Sequence, residues 1–158
     1  MTTLDLATVT ETFKRDLHTA VISDTLNPLG YRDQVMKGNI NPVTEHVVLV
    51  GRLAVDYDEP LSNPYGSELK FIDTLVPCDV VGAGTNMSVQ NGLWGDLLSA
   101  ASKYRGARGT IIDGYVRDVR RIRELGFPTW ATSTRPVDSA GRALIIAYDI
   151  SVPCGVPS

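Results

Sequence analysis

Over residues 8–29 the apolar positions Val9, Phe13, Leu17, Ala20 and Val21 recur at steps of three and four, the period of a helix with one buried stripe. Ser23 and Asp24 offer a cap for a short second helix over 24–29, which Gly30 would end. Residues 31–44, with Gly38, Asn39, Asn41 and Pro42, read as loop. The Val- and Leu-rich run 46–57 reads as a strand bent at Gly51, and 58–66, with two prolines, as a loop. A capped amphipathic helix is expected over 67–76 and a short buried strand over 78–83.

The second half alternates more sharply. Residues 92–95 predict a turn and 96–104 a helix built on Leu97, Leu98, Ala100 and Ala101, ended by Gly106. Residues 109–114 predict a strand closed by Gly114, and 118–125 a helix with Arg120, Arg121 and Arg123 on its outer face, stopped by Gly126. Further strands are expected from 129–133 and 143–152. Strand–helix–strand–helix–strand from 78 to 133 is the alternation that builds βαβ units and a parallel sheet, so the fold class is α/β. No repeat or domain boundary interrupts it, and residues 1–158 are expected to form a single domain, with an N-terminal helical segment over about 5–29 and a core over about 43–158.

Composition narrows the function classes. The chain has 158 residues, 43 % hydrophobic and 21 % charged, which is enough to bury a core of its own. The formal charge of −3 gives no basic excess of the kind that nucleic acid attracts, so a nucleic-acid partner is not expected. No apolar run approaches the ~20 residues of a membrane span. Cys78 and Cys154 lack zinc-site spacing, and two cysteines make no disulfide framework. With no signal-like N-terminus, the expected location is cytoplasmic.

Candidate chemistry collects at three glycine-containing segments read as strand-to-helix junctions: Gly82-Ala83-Gly84, 92–96 and 113–118. In open α/β sheets ligands bind beyond the carboxyl ends of the strands, where such loops gather. Arg117 carries a planar fork suited to a substrate carboxylate. Asp118 beside it is a hard oxygen ligand for Mg²⁺ or Mn²⁺, and Asp96 could hold a metal-bound water. The backbone amides of residues 96–98 open a helix, where a free N–H meets an anion favourably. The same residues also have plain structural readings, Asp96 as a helix cap and Arg117-Asp118 as a solvated pair. The arginines at 120, 121 and 123 read as a solvated or subunit-facing surface, and His18 and His46 as non-catalytic.

Gly95-Asp96, then twenty residues, then Arg117-Asp118 resembles the G-D-x20-R-D signature of the class II pyruvate aldolases. That family holds the 4-hydroxy-4-methyl-2-oxoglutarate aldolases and the RraA-like regulators of ribonuclease E. Val21-Ile22-Ser23-Asp24-Thr25-Leu26, Arg105-Gly106-Ala107-Arg108-Gly109 and Phe127-Pro128-Thr129-Trp130-Ala131 extend the resemblance from about residue 20 to the end.

The resemblance implies an RraA-like swivelling β/β/α sandwich assembled as a homotrimer or homohexamer. It implies a divalent-metal-dependent carbon–carbon lyase acting on a small 2-oxo dicarboxylate, as aldolase or oxaloacetate decarboxylase, through a pyruvate enolate. Arg117 would bind the pyruvyl carboxylate, Asp118 would ligate Mg²⁺ or Mn²⁺, and Gly95, Asp96, Leu97 and Leu98 would bind substrate. Asp96 would also position the water that protonates the enolate. The rival is a regulator that binds a ribonuclease without catalysis. A changed Asp or Arg in the signature would favour that branch, whereas all four signature residues stand. Relatives continue past the final strand where this sequence reaches Gly155-Val156-Pro157-Ser158, so the C-terminal part of the domain is expected to be missing.

Overall fold

A computed structural model describes residues 5–36, 38–45, 49, 52–54, 65–85 and 91–139. The expected strand over 143–152, Cys154, His46 and most of the expected strand over 46–57 lie outside the described residues.

The N-terminal periodicity divides at a different place from the expected one. Helix α1, Leu6–Asp16, is capped by Asp5, whose carboxylate accepts from the backbone N–H of Ala7 and Thr8. Helix α2, Thr19–Leu26, follows after Leu17 and His18 adopt extended backbone. A 3-10 turn, Asn27–Leu29, then ends at Gly30. Ser23 and Asp24 therefore lie inside α2, and His18 is its N-cap rather than an interior residue.

Among the described residues six strands form one sheet. They are β1 Asn41–Pro42, β2 Arg52–Ala54, β3 Asp79–Gly84, β4 Gly92–Trp94, β5 Gly109–Val116 and β6 Thr129–Thr134. The order is β1-β6-β5-β3-β2, with β4 paired to β5 off that path. β2, β3, β5 and β6 run parallel, as the alternation required, and β1 joins the edge antiparallel to β6.

Three helices complete the alternation: α3 Gly66–Thr74, α4 Asp96–Tyr104 and α5 Val119–Leu125. α4 packs against α3, β5 and α5. Between helices and sheet lie Phe71, Ile72, Val81, Trp94, Ile112, Val116, Ile122 and Phe127, all nearly inaccessible. Burying side chains of this size contributes about 1.5–3 kcal/mol each.

Two local expectations are corrected. Gly82-Ala83-Gly84 is not a turn; it is the end of β3, hydrogen-bonded in register with Ile111, Ile112 and Asp113 of β5. Gly114 does not close β5. The strand continues to Val116, and the register against β6 shifts between Ile112 and Tyr115, leaving one extra residue on β5. A glycine suits such a bulge. Here it also admits Thr85, whose side chain occupies the space a Cβ would need and whose Oγ1 donates to the Asp113 carbonyl at 2.6 Å.

Candidate functional site

The segment expected to be a turn at 92–95 instead supplies a three-residue strand, and this builds the site. β3 pairs with the first half of β5, up to Asp113, and β4 then takes its place beside Tyr115 and Val116. Trp94 and Val116 are register partners in parallel strands, so the residues that follow them, Gly95 and Arg117, emerge side by side. The twenty intervening residues of the signature are α4, a turn and the return along β5. Their number is what one crossover needs to bring the chain back to an adjacent strand end.

Buried polar bonds hold this corner. The Arg117 N–H donates to the Trp94 carbonyl at 2.8 Å. The Trp94 indole N–H donates to Ser99 Oγ at 2.7 Å, and Ser99 Oγ donates to the Gly95 carbonyl at 2.9 Å. Trp94 and Ser99 are buried, so breaking this relay would strand polar atoms away from water at a cost of about 1–3 kcal/mol each. Periodicity placed Ser99 on a helix but carried no sign of this role.

Gly95 is required by its neighbours. A Cβ there would come within 2.6 Å of Asp118 Oδ2 and 3.2 Å of Arg117 Cγ and Nε. The glycine leaves room in front of the carboxylate. Asp118 stands at the N-cap of α5 in left-handed backbone, φ 54°, yet its side chain makes no capping bond. Its Oδ2 lies 3.3 Å from Arg117 Nε instead. An aspartate that accepts a strained conformation without capping its helix is held there by the surrounding chain.

Arg117 lines a cavity of about 150 Å³ together with Gly92, Gly95, Leu97, Leu98, Glu68 and Asp138. Its Nη1 lies 2.9 Å from Asp138 Oδ2, which also accepts from Tyr65 Oη at 3.2 Å. Burial works against the guanidinium's charge, but the hydrogen bond and charge of Asp138, with the charge of Asp118, hold it above the usual arginine range. Glu68 is only 7 % exposed, and its Oε1 accepts a long hydrogen bond from Ser139 Oγ at 3.5 Å. Burial, and then the charge of Asp138, push the Glu68 carboxyl above the usual range, against the opposing Ser139 contact and Arg117 charge. Tyr65, Glu68, Asp138 and Ser139 escaped sequence reasoning. They come from α3 and its N-cap and from the segment after β6, which no spacing rule connects to the signature.

The expected site residues are thus partly assembled. Gly95, Leu97, Leu98 and Arg117 share the cavity, with Asp118 against Gly95 and Arg117. Asp96, half-buried at the first position of α4, is not among the residues lining it. Among the described residues no three His, Cys, Asp or Glu side chains converge as a metal cluster, and no helix is long and apolar enough to cross a membrane. The arginines of α5 are engaged locally: Arg120 and Arg121 pair with Glu124, and Arg123 Nε donates to the Val43 carbonyl.

A family model described as RraA-like, Aldolase/RraA, matches residues 19–156. The chain belongs to the RraA-like family. It is 33 % identical over 120 residues to an uncharacterised protein of Methanocaldococcus jannaschii, covering 73 % of this chain and 55 % of that one. It is 25 % identical over 141 residues to a Halalkalibacterium halodurans protein that bears the name 4-hydroxy-4-methyl-2-oxoglutarate aldolase, covering 89 % and 64 %. The chain therefore spans 55 % and 64 % of the length of these two curated relatives. Among solved structures it resembles Streptomyces coelicolor RraAS2, described as an unusual member of the RNase ES inhibitor RraA protein family. That match has a TM-score of 0.76 and 25 % identity, over 94 % of this chain and 75 % of the other. The mixed α/β architecture is that of the RraA-like fold, and the family contains members named for an aldolase and for ribonuclease inhibition alike.

Proposed function

We propose that this RraA-like protein is a divalent-metal-dependent carbon–carbon lyase that cleaves or decarboxylates a small 2-oxo dicarboxylate to a pyruvate enolate. The observation that carries the reading is the junction of Gly95 with Arg117 and Asp118 at two adjacent parallel strand ends, beside a cavity that Arg117 lines. The proposal takes residues 1–158 as one domain and places the protein in the cytoplasm as a homotrimer or homohexamer.

The residues fit a hard, well-hydrated cation. A single protein carboxylate, Asp118, with open space kept before it by Gly95, suits Mg²⁺ or Mn²⁺, which retain several waters; it would not suit a closed zinc site. Bound there, such a cation supplies Lewis-acid polarisation of a 2-oxo group. Arg117 binds and orients the substrate carboxylate, sharing or displacing its contact with Asp138. The amides that open α4, from Gly95 to Leu98, receive the anionic end. Asp96 holds the water that returns a proton to the enolate carbon.

The test is consumption of oxaloacetate and of 4-hydroxy-4-methyl-2-oxoglutarate with Mg²⁺, followed as pyruvate release. Turnover that EDTA stops and Mg²⁺ restores is the expected result. A folded protein without metal-dependent turnover sinks the reading, and capture of a ribonuclease by that inactive protein would establish the regulator alternative.

A further inference from the structure

Glu68 has no part in the roles assigned above, and its position is costly. It lies on α3, 7 % exposed, in the wall of the cavity that Arg117 lines from the opposite element. Water is largely withheld from it, and an ionised carboxylate so placed normally requires a cation or several hydrogen-bond donors. Its side-chain donor is Ser139 Oγ, 3.5 Å from Glu68 Oε1 and 3.4 Å from Asp138 Oδ1. One hydroxyl proton cannot serve both carboxylates at once. Asp138 has further donors in Arg117 Nη1 and Tyr65 Oη, whereas Glu68 shares the cavity wall with apolar Leu69, Ile72 and Ala101. The arrangement leaves Glu68 the carboxylate in this wall least supplied with donors, and so the one that gains most by taking up a proton.

Building on the lyase reading, we propose that Glu68 is the catalytic base for carbon–carbon cleavage, accepting the hydroxyl proton of a 4-hydroxy-2-oxo acid whose carboxylate Arg117 holds. The step balances. The C4 hydroxyl O–H bond breaks and its proton passes to a Glu68 carboxylate oxygen. The hydroxyl oxygen becomes the C4 carbonyl, the C3–C4 bond breaks, and its electron pair forms the enolate between C2 and C3. Glu68 then releases the proton to water as the product ketone or 2-oxo acid departs. A carboxyl raised by burial is a stronger base than an exposed one, and proton transfer by a placed group contributes about 10²–10⁴-fold in rate. Decarboxylation of oxaloacetate breaks its C3–C4 bond with loss of CO₂ and has no hydroxyl proton to remove. The two reactions therefore separate the base from everything else in the site.

The experiment compares the Mg²⁺-loaded wild type with Glu68→Gln on 4-hydroxy-4-methyl-2-oxoglutarate and oxaloacetate, with thermal unfolding of both proteins. The expected loss of kcat on the hydroxy acid is about 100-fold or more, exceeding the loss on oxaloacetate by at least about 30-fold. The acidic limb of the wild-type pH–rate profile for the hydroxy acid should also vanish in the variant. Equal losses on both substrates, or an unchanged rate on the hydroxy acid, overturn the role of Glu68. A wild type that decarboxylates oxaloacetate but leaves the hydroxy acid intact overturns this role alone. A wild type inactive on both overturns the lyase reading and the role with it. If only the hydroxy acid is cleaved, the pH profile decides: a lost acidic limb upholds the proposal and a retained one overturns it.

Discussion

Arg117 Nη1 lies 2.9 Å from Asp138 Oδ2, so the guanidinium assigned to the substrate carboxylate already holds a carboxylate of its own chain. The pair is partly exposed, with side chains 26 % and 35 % accessible, and under the proposed function a substrate carboxylate at Arg117 would compete with it. A pair of this exposure is worth about 0.2–1 kcal/mol, up to roughly fivefold in an equilibrium. Asp138→Asn is therefore expected to lower KM for a 2-oxo acid by about 2–5-fold. Steady-state kinetics check this, and a raised KM would mean that Asp138 positions Arg117 instead of competing for it.

Gly95→Ala sets a methyl group 2.6 Å from Asp118 Oδ2 and 3.2 Å from Arg117 Cγ. Overpacking of this kind costs about 1–3 kcal/mol, and displacement of the two signature side chains should reduce kcat/KM by about 100-fold. Urea unfolding and turnover measured on the same preparation separate the two effects. Full activity in the variant would remove Gly95 from the site.

Asp118 holds left-handed backbone, φ 54°, without capping α5. Glycine tolerates that conformation better, by about 0.5–1 kcal/mol. Asp118→Gly should thus unfold at the same urea concentration as the wild type or a higher one, while metal-dependent turnover is lost. A marked fall in stability would assign Asp118 to structure.

Burial holds the Glu68 carboxyl above its usual range, so the folded chain binds this proton more tightly than the unfolded chain does. The unfolded state then carries fewer protons, and stability falls as pH rises from the ordinary carboxylate value through the raised one. Glu68→Gln has no such ionisation. Its Tm should match the wild type near pH 4 and exceed it at pH 7–8. A wild type whose advantage grows with pH would show that the ionised carboxylate is stabilised in the fold.

Local pattern made much of this fold legible. The helix expected over 96–104 has those limits, and the strands beginning at 109 and 129 begin there, because short-range periodicity and flanking turn residues decide such elements. The N-terminal break is hidden from the sequence because Leu17 continues the apolar period while the backbone at Leu17 and His18 leaves the helix. Gly114 reads as a stop because sequence alone does not distinguish a terminating glycine from one in a bulge beneath Thr85.

The sequence by itself determined the alternating α/β class and the G-D-x20-R-D signature, since both reside in order and spacing along the chain. Only the tertiary structure decided what the spacing accomplishes. Parallel pairing of Trp94 with Val116 sets Gly95 beside Arg117 and Asp118, although more than twenty residues separate them along the chain. Only the tertiary structure, likewise, turned Glu68 of α3 and Asp138 beyond β6 into walls of the same cavity. Burial and charge at a site are properties of what packs together in space, and a chain read residue by residue carries no record of that.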